Sequence, residues 1–222
     1  MYPSAVIFDF DGVIVDTEPL HYRSFQHVLE PQKLGFSWDD YIKTYMGFDD
    51  RDAFREVYCS TGRELKESEL NRLIKIKAEK FQQIIAEGVT AYPGVVVLIQ
   101  QLDNNGIPLA ICSGALLCDI MPILKTLDIE KYFRVVVTAE DVQKSKPDPA
   151  CYLMAREKIR ETYSEKLACD AEITAIEDTP AGISAAKGAG LTVFAVKNSY
   201  PEEQLKAADR IITSLEELIS GF

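Results

Sequence analysis

Residues 5–19 read AVIFDFDGVIVDTEP. An unbroken apolar run, Ala5 to Phe8, leads into two aspartates one residue apart, Asp9 and Asp11. Continuous apolar runs suit strands covered on both faces. The charges at the tip are the puzzle. Like charges this close repel, and a buried carboxylate is costly unless something neutralises it.

Working outward, further β-branched runs predict strands at Pro108–Cys112, Val135–Val137, Ile173–Ile176 and Leu191–Val196, with a short one at Ile211–Ile212. Helical periods over Val95–Asn104, Leu116–Leu127, Ala150–Ile159 and Ala181–Ala189 separate them. Strands alternating with helices imply right-handed crossovers and a doubly wound, Rossmann-like α/β parallel sheet. Between about Asp16 and Gly88 no strand is expected; helical patterns run over His21–Leu29, Trp38–Tyr45, Arg51–Cys59 and Glu67–Ala86. The chain is therefore expected to divide into an α/β core of residues 1–15 and 89–222 and an inserted all-helical domain of residues 16–88. Tyr92-Pro93-Gly94 marks the return as a turn.

The 222 residues are 47% hydrophobic and 27% charged, an ordinary globular composition. No stretch approaches the roughly 20 apolar residues a membrane span needs. The chain enters its first strand with no basic leader. Five cysteines, Cys59, Cys112, Cys118, Cys151 and Cys169, show no paired spacing. Reduced thiols, a cytoplasmic setting and no membrane partner are expected. A net charge of −11 argues against a nucleic-acid surface. It also repels a phosphorylated ligand unless the site differs locally from the average surface.

In open α/β sheets, ligands bind beyond the carboxyl ends of the strands. The residues expected there are Asp9 and Asp11 after the first strand and Ser113 and Gly114 after the second. Lys146 follows the third, in Lys-Ser-Lys-Pro-Asp-Pro, and Glu177 and Asp178 follow the fourth. Carboxylates with one hydroxyl and one ammonium suit an oxygen-ligated divalent cation, Mg²⁺, and a phosphate. Such a cation offsets the repulsion at the strand tip. A calcium loop of the EF-hand type does not fit, since Ile14 and Leu20 stand where that loop needs Gly and Glu. Asp148 and Pro149 read as the cap and first residue of a helix.

These motifs resemble the haloacid dehalogenase superfamily, in its β-phosphoglucomutase-like branch with a helical cap. DFDGVIVDT, AICSG, KSKPDP and EDTPAGISAAKGAG stand in that family's order. The resemblance implies that Asp9 is a nucleophile forming an aspartyl-phosphate and Asp11 a general acid and base. It implies that Asp178, Asp9 and Asp11 hold Mg²⁺ with support from Glu177, and that Ser113, Gly114 and Lys146 bind phosphate. It places His21, Gly47, Asp50, Arg51 and Lys77 on the cap as substrate residues, although Lys75, Glu79 and Lys80 around Lys77 equally suit a solvated face. It also implies a monomer. The chain departs from the mutases of that branch: Ala115, Leu116 and Leu117 replace polar phosphate contacts, and Asp50 aligns with an arginine. A Mg²⁺-dependent phosphatase for a small phosphorylated metabolite is the expected function, and a phosphosugar mutase is the alternative.

Overall fold

The computed structural model describes residues 2–46, 48–168 and 170–222. The chain opens on β1 (Ala5–Phe8). Four helices follow: α1 (Glu18–Leu29), α2 (Trp38–Asp40), α3 (Asp50–Ser60) and α4 (Glu67–Ile85). The α/β pattern then resumes with α5 (Val95–Asn104), β2 (Leu109–Cys112), α6 (Leu117–Thr126), β3 (Phe133–Val137), α7 (Ala150–Thr162) and β4 (Ile173–Glu177). It ends with α8 (Pro180–Gly188), β5 (Thr192–Val196), α9 (Glu202–Leu205), β6 (Arg210–Ile212) and α10 (Glu216–Ile219). Helices α9 and α10 are four residues each, too short to leave a period in the sequence.

All six strands are parallel, in the order β3-β2-β1-β4-β5-β6. This is the doubly wound sheet expected from the alternating pattern. Strand β1 lies at its centre, in register with β2 (Ile7 beside Ala110) and with β4 (Ile7 beside Ala175). Its four residues are fully buried. Because side chains alternate, Ala5 and Ile7 join Ala110, Cys112, Val135, Val137, Ala175 and Val193 in one core under α7 and α8, which contribute Tyr152, Ala155, Ile159, Ile183 and Ala186. Val6 and Phe8 point to the other face, where Phe8 meets Phe133 edge-on at 6.0 Å.

The chain divides into two compact units, Met1–Asp16 with Thr90–Phe222, and Thr17–Val89. In the first, the segments leading out and back run side by side: Asp16 N–H donates to Thr90 at 3.0 Å and Tyr92 N–H to Ile14 at 3.0 Å. The second unit is helical. Phe25, Val28, Leu29, Phe54, Val57, Leu70, Leu73, Phe81 and Ile84 fill its interior. The sequence predicts one helix over Trp38–Tyr45. Instead, α2 passes at Tyr41 into a wider turn, closed by Met46 N–H on Tyr41 O at 2.9 Å. Both Tyr41 and Tyr45 stack on Phe36.

Helix α7 starts one residue later than its sequence signal. Asp148 Oδ1 accepts from Ala150 N–H at 3.0 Å, so Asp148 still satisfies a first-turn amide while Pro149 stands just outside.

Ile7 occupies the middle of the central strand with no exposure. Ile7→Ala is expected to cost about 2–5 kcal/mol, read as a lower urea midpoint with an unchanged slope.

Candidate active site

The carboxyl ends of β1, β2 and β4 deliver the site. Asp9 follows β1, and its N–H still donates to Ile176 O of β4 at 2.9 Å, so backbone pairing fixes the start of the loop. Gly12 then takes φ = 83°, a left-handed conformation natural to glycine. A side chain there would overlap the Asp178 carboxylate. The loop is pinned from inside by Phe10, Val13, Ile14 and Val15, all buried.

Lys146 lies at the centre. Its Nζ donates to Asp9 Oδ1 at 2.7 Å, to Glu177 Oε1 at 2.7 Å and to Cys112 O at 3.2 Å. Only 11% of its side chain is exposed. Burial works against the ammonium, but the Asp9 and Glu177 carboxylates outweigh it and hold the lysine well above its ordinary pKa. Burial pushes the Asp9 carboxyl well above its usual value; Lys146 opposes this, and the charges of Glu177 and Asp11 add to it. Each contact of this kind is worth on the order of 6 kcal/mol at an effective dielectric near 20. Burying each ion costs several kcal/mol. One ammonium with two carboxylates therefore holds together.

Glu177 is fully buried, and its two oxygens divide their work. Oε1 accepts from Lys146 and from Tyr152 OH at 2.7 Å. Oε2 accepts from Asp178 N–H at 3.1 Å and from the Thr179 N–H and hydroxyl at 3.4 and 3.3 Å. A side chain at Gly182 would strike this carboxylate. Thr179 in turn caps α8 by accepting from Gly182 N–H at 3.0 Å. Glu177 thus orients Lys146 and closes the turn that carries Asp178.

Asp178 is 1% exposed and accepts a hydrogen bond from the Ser199 hydroxyl on Oδ2. Asn198 Nδ2 donates to Gly12 O at 2.7 Å, tying the end of β5 to the Asp9 loop. Ser113 is buried at the end of β2; its N–H donates to Val137 O at 2.9 Å and its Oγ accepts from Ala115 N–H at 3.0 Å. The same Oγ approaches Asp11 Oδ2 at 3.5 Å, a long contact. Gly114 is exposed, and no heavy atom lies within 4 Å of where a Cβ would be.

Oxygens of Asp9, Glu177 and Asp178 all lie within 4.8 Å of one another. The three buried carboxylates and one ammonium leave a formal charge of minus two. Hard oxygen donors with that deficit fit a divalent cation.

In the helical unit, His21, Asp50 and Lys77 come together. Lys77 is fully buried, against the solvated face its charged neighbours allowed; Lys75 and Glu79 are exposed and Lys80 is half-buried. Its Nζ donates to His21 Nδ1 at 2.7 Å and to Asp50 Oδ1 at 2.7 Å. The rings of Phe25 and Phe81 cover it at 5.0 and 5.1 Å, and His21 stacks on Phe81 at 4.3 Å. Arg51 instead pairs with Asp49 at 3.1 Å. Gly47 lies outside the described residues.

Three residues of the site escaped the sequence reading: Tyr152, Asn198 and Ser199. The last two stand just past β5, where inspection of every strand end would have found them. Tyr152 sits in a helical period and reads as core.

Residues 6–196 match the haloacid dehalogenase-like hydrolase family, and the chain belongs to it. It is 30% identical over 219 residues to the phosphorylated carbohydrates phosphatase of Thermotoga maritima, covering 97% of this chain and 96% of that one. It is 29% identical over 218 residues to the β-phosphoglucomutase of Bacillus subtilis, covering 96% and 91%. The fold matches the crystal structure of a CbbY variant from Rhodobacter sphaeroides in complex with xylulose-(1,5)bisphosphate, with a TM-score of 0.85 and 24% identity over 98% of this chain and 96% of that one.

Lys146→Met leaves Asp9 and Glu177 buried without their counter-charge. It is expected to cost about 3–5 kcal/mol at pH 7 in metal-free urea unfolding. A raised lysine pKa stabilises fully below the unfolded value of about 10.4 and ceases to do so above the folded one. The gap between Lys146→Met and wild type should therefore hold from pH 7 to about 10 and shrink above it.

Proposed function

We propose that the protein is a metal-dependent phosphatase acting on a small phosphorylated metabolite, with a sugar phosphate as the favoured class. The observation that carries this reading is the meeting of Asp9, Glu177 and Asp178 oxygens within 4.8 Å, with Lys146 bonded to two of them. A phosphatase of phosphorylated carbohydrates, aligned along almost the whole chain, supports the same reading.

Asp9 is assigned as nucleophile: a carboxylate oxygen attacks phosphorus as the bond to the leaving oxygen breaks. Asp11 gives that oxygen its proton, then takes one from the water that attacks the aspartyl-phosphate and releases inorganic phosphate. Lys146 and Ser113, with the backbone at Gly114, are assigned to the phosphoryl oxygens, where a preformed ammonium offsets charge that develops in transfer. Glu177 acts through Lys146 and through the turn bearing Asp178. Asp9, Asp178 and the Asp11 carbonyl are the groups assigned to hold Mg²⁺. When bound, Mg²⁺ would neutralise the site's excess negative charge and polarise the phosphoryl group. Burial pushes the Asp9 carboxyl toward its neutral form, and a bound cation would favour its charged form. His21, Gly47, Asp50, Arg51 and Lys77 are assigned to substrate choice. A monomer in the cytoplasm is proposed; the described residues include no helix long and apolar enough to cross a membrane.

A mutase must grip a second phosphate. Ala115, Leu116 and Leu117, apolar after Ser113, count against that activity. Several missing charge-assisted contacts, each about 1.5–3 kcal/mol, weaken such a grip decisively.

Phosphate release from a panel of phosphorylated metabolites with Mg²⁺ tests the reading. Asp9→Asn is expected to remove turnover by at least about a thousandfold while the protein stays folded. EDTA should abolish the rate and added Mg²⁺ restore it. Activity surviving either treatment overturns the covalent, metal-assisted reading. Faster interconversion of β-glucose 1-phosphate and glucose 6-phosphate than release of phosphate would make the protein a mutase.

A further inference from the structure

Asp178 is bracketed by loops from the two strands beside its own, for β4 lies between β1 and β5 in the sheet. The segment after β5 starts at Lys197, whose N–H donates to Ile212 O of β6 at 3.0 Å. Asn198 Nδ2 then donates to Gly12 O, in the loop after β1, at 2.7 Å. Ser199 follows, and its hydroxyl donates to Asp178 Oδ2. Two anchors therefore fix the turn that carries the Ser199 hydroxyl to Asp178. A Cβ at Gly12 would lie 1.9 Å from Asp178 Oδ2 and 3.0 Å from Ser199 Oγ, so the oxygen and the hydroxyl both lie against that bare Cα. Asp178 is buried and Ser199 half-buried.

A hydroxyl bonded to one carboxylate oxygen sets the rotation of both, because the two oxygens turn as one plane. For a cation this matters. Ca²⁺ takes a carboxylate through one oxygen or through two, in a large and flexible shell. Mg²⁺ is smaller and demands a near-octahedral shell. A grip by both oxygens of Asp178 would require the Ser199 bond to Oδ2 to break.

We propose that Ser199 is a positioning residue that holds Asp178 to coordination through one oxygen and so makes the site prefer Mg²⁺ over Ca²⁺. The inference rests on the metal-dependent reading and concerns which cation the site selects. The hydroxyl acts through Asp178 and carries no charge, so its loss changes how a ligand is oriented and leaves the charge of the site as it was. Outer partners of this kind commonly tune metal affinity by about tenfold to a hundredfold. Asn198 extends the restraint to the loop that bears Asp11 and Gly12. Without the hydroxyl, Mg²⁺ loses an oriented ligand, whereas Ca²⁺ gains access to a second oxygen. These opposed effects separate positioning from a general loosening of the site.

The test is calorimetric titration of the metal-free protein with Mg²⁺ and, separately, with Ca²⁺, in wild type, Ser199→Ala and Asn198→Ala. Wild type should bind Mg²⁺ more tightly than Ca²⁺. Ser199→Ala should weaken Mg²⁺ binding roughly tenfold and leave Ca²⁺ binding unchanged or tighter, so that the ratio of dissociation constants moves about tenfold toward Ca²⁺. Asn198→Ala loosens the same turn while the hydroxyl remains, and should move that ratio the same way by about two- to threefold. It keeps the test valid if Ser199→Ala fails to fold. An unchanged ratio in the folded variants, including equal weakening of both cations, overturns the inference while leaving a metal-dependent enzyme. A wild type that prefers Ca²⁺ also overturns it. A wild type that binds neither cation overturns the metal-dependent reading itself, and this inference with it.

Discussion

One ammonium holds the site together. Lys146 joins the ends of β1 and β4 through Asp9 and Glu177, and touches the end of β2 through Cys112 O. Without a positive charge there, three buried acids at adjacent strand tips would repel one another out of register. The surrounding backbone is shaped to the resulting carboxylates. Gly12 leaves room for Asp178, Gly182 leaves room for Glu177, and no residue with a side chain could replace either without moving an acid. In the fourth motif, Gly182 makes room for Glu177 and Gly188 packs against Pro149, while Gly190 turns the chain at φ = 75°.

Much of this could be read from residue order because a parallel sheet converts sequence into position. Knowing that Phe8, Cys112 and Ile176 end adjacent strands is enough to bring Asp9, Ser113 and Glu177 to one edge. Lys146 was harder, since eight residues separate it from the end of β3, and only its motif marked it. Tyr152 was invisible for a physical reason. A tyrosine in a helical period buries its ring like any core residue, and only coordinates reveal that its hydroxyl reaches Glu177. Asn198 and Ser199 carry a positional signal, since both follow the end of β5.

The helical unit shows the opposite limit. Lys77 is flanked by exposed Lys75 and Glu79, and charge patterning in α4 could not distinguish a solvated lysine from a buried one. Phe81 of the same helix covers one side, and the rest comes from other helices: Phe25 and His21 of α1 and Asp50 of α3. A buried charge needs partners that are distant in sequence, and periodicity reports nothing about them. The wider turn at Tyr41–Tyr45 is similar, for its tyrosines follow Phe36, which belongs to no helix.

The two buried lysines solve the same electrostatic problem with different consequences. Lys146 is outnumbered: two carboxylates touch it and a third lies near, leaving negative charge for a cation to balance. Lys77 is matched one to one by Asp50, and its second contact, His21 Nδ1, must act as an acceptor because an ammonium only donates. His21 is thereby fixed with its proton on Nε2 when neutral. The first arrangement carries a formal excess of negative charge. The second is already balanced.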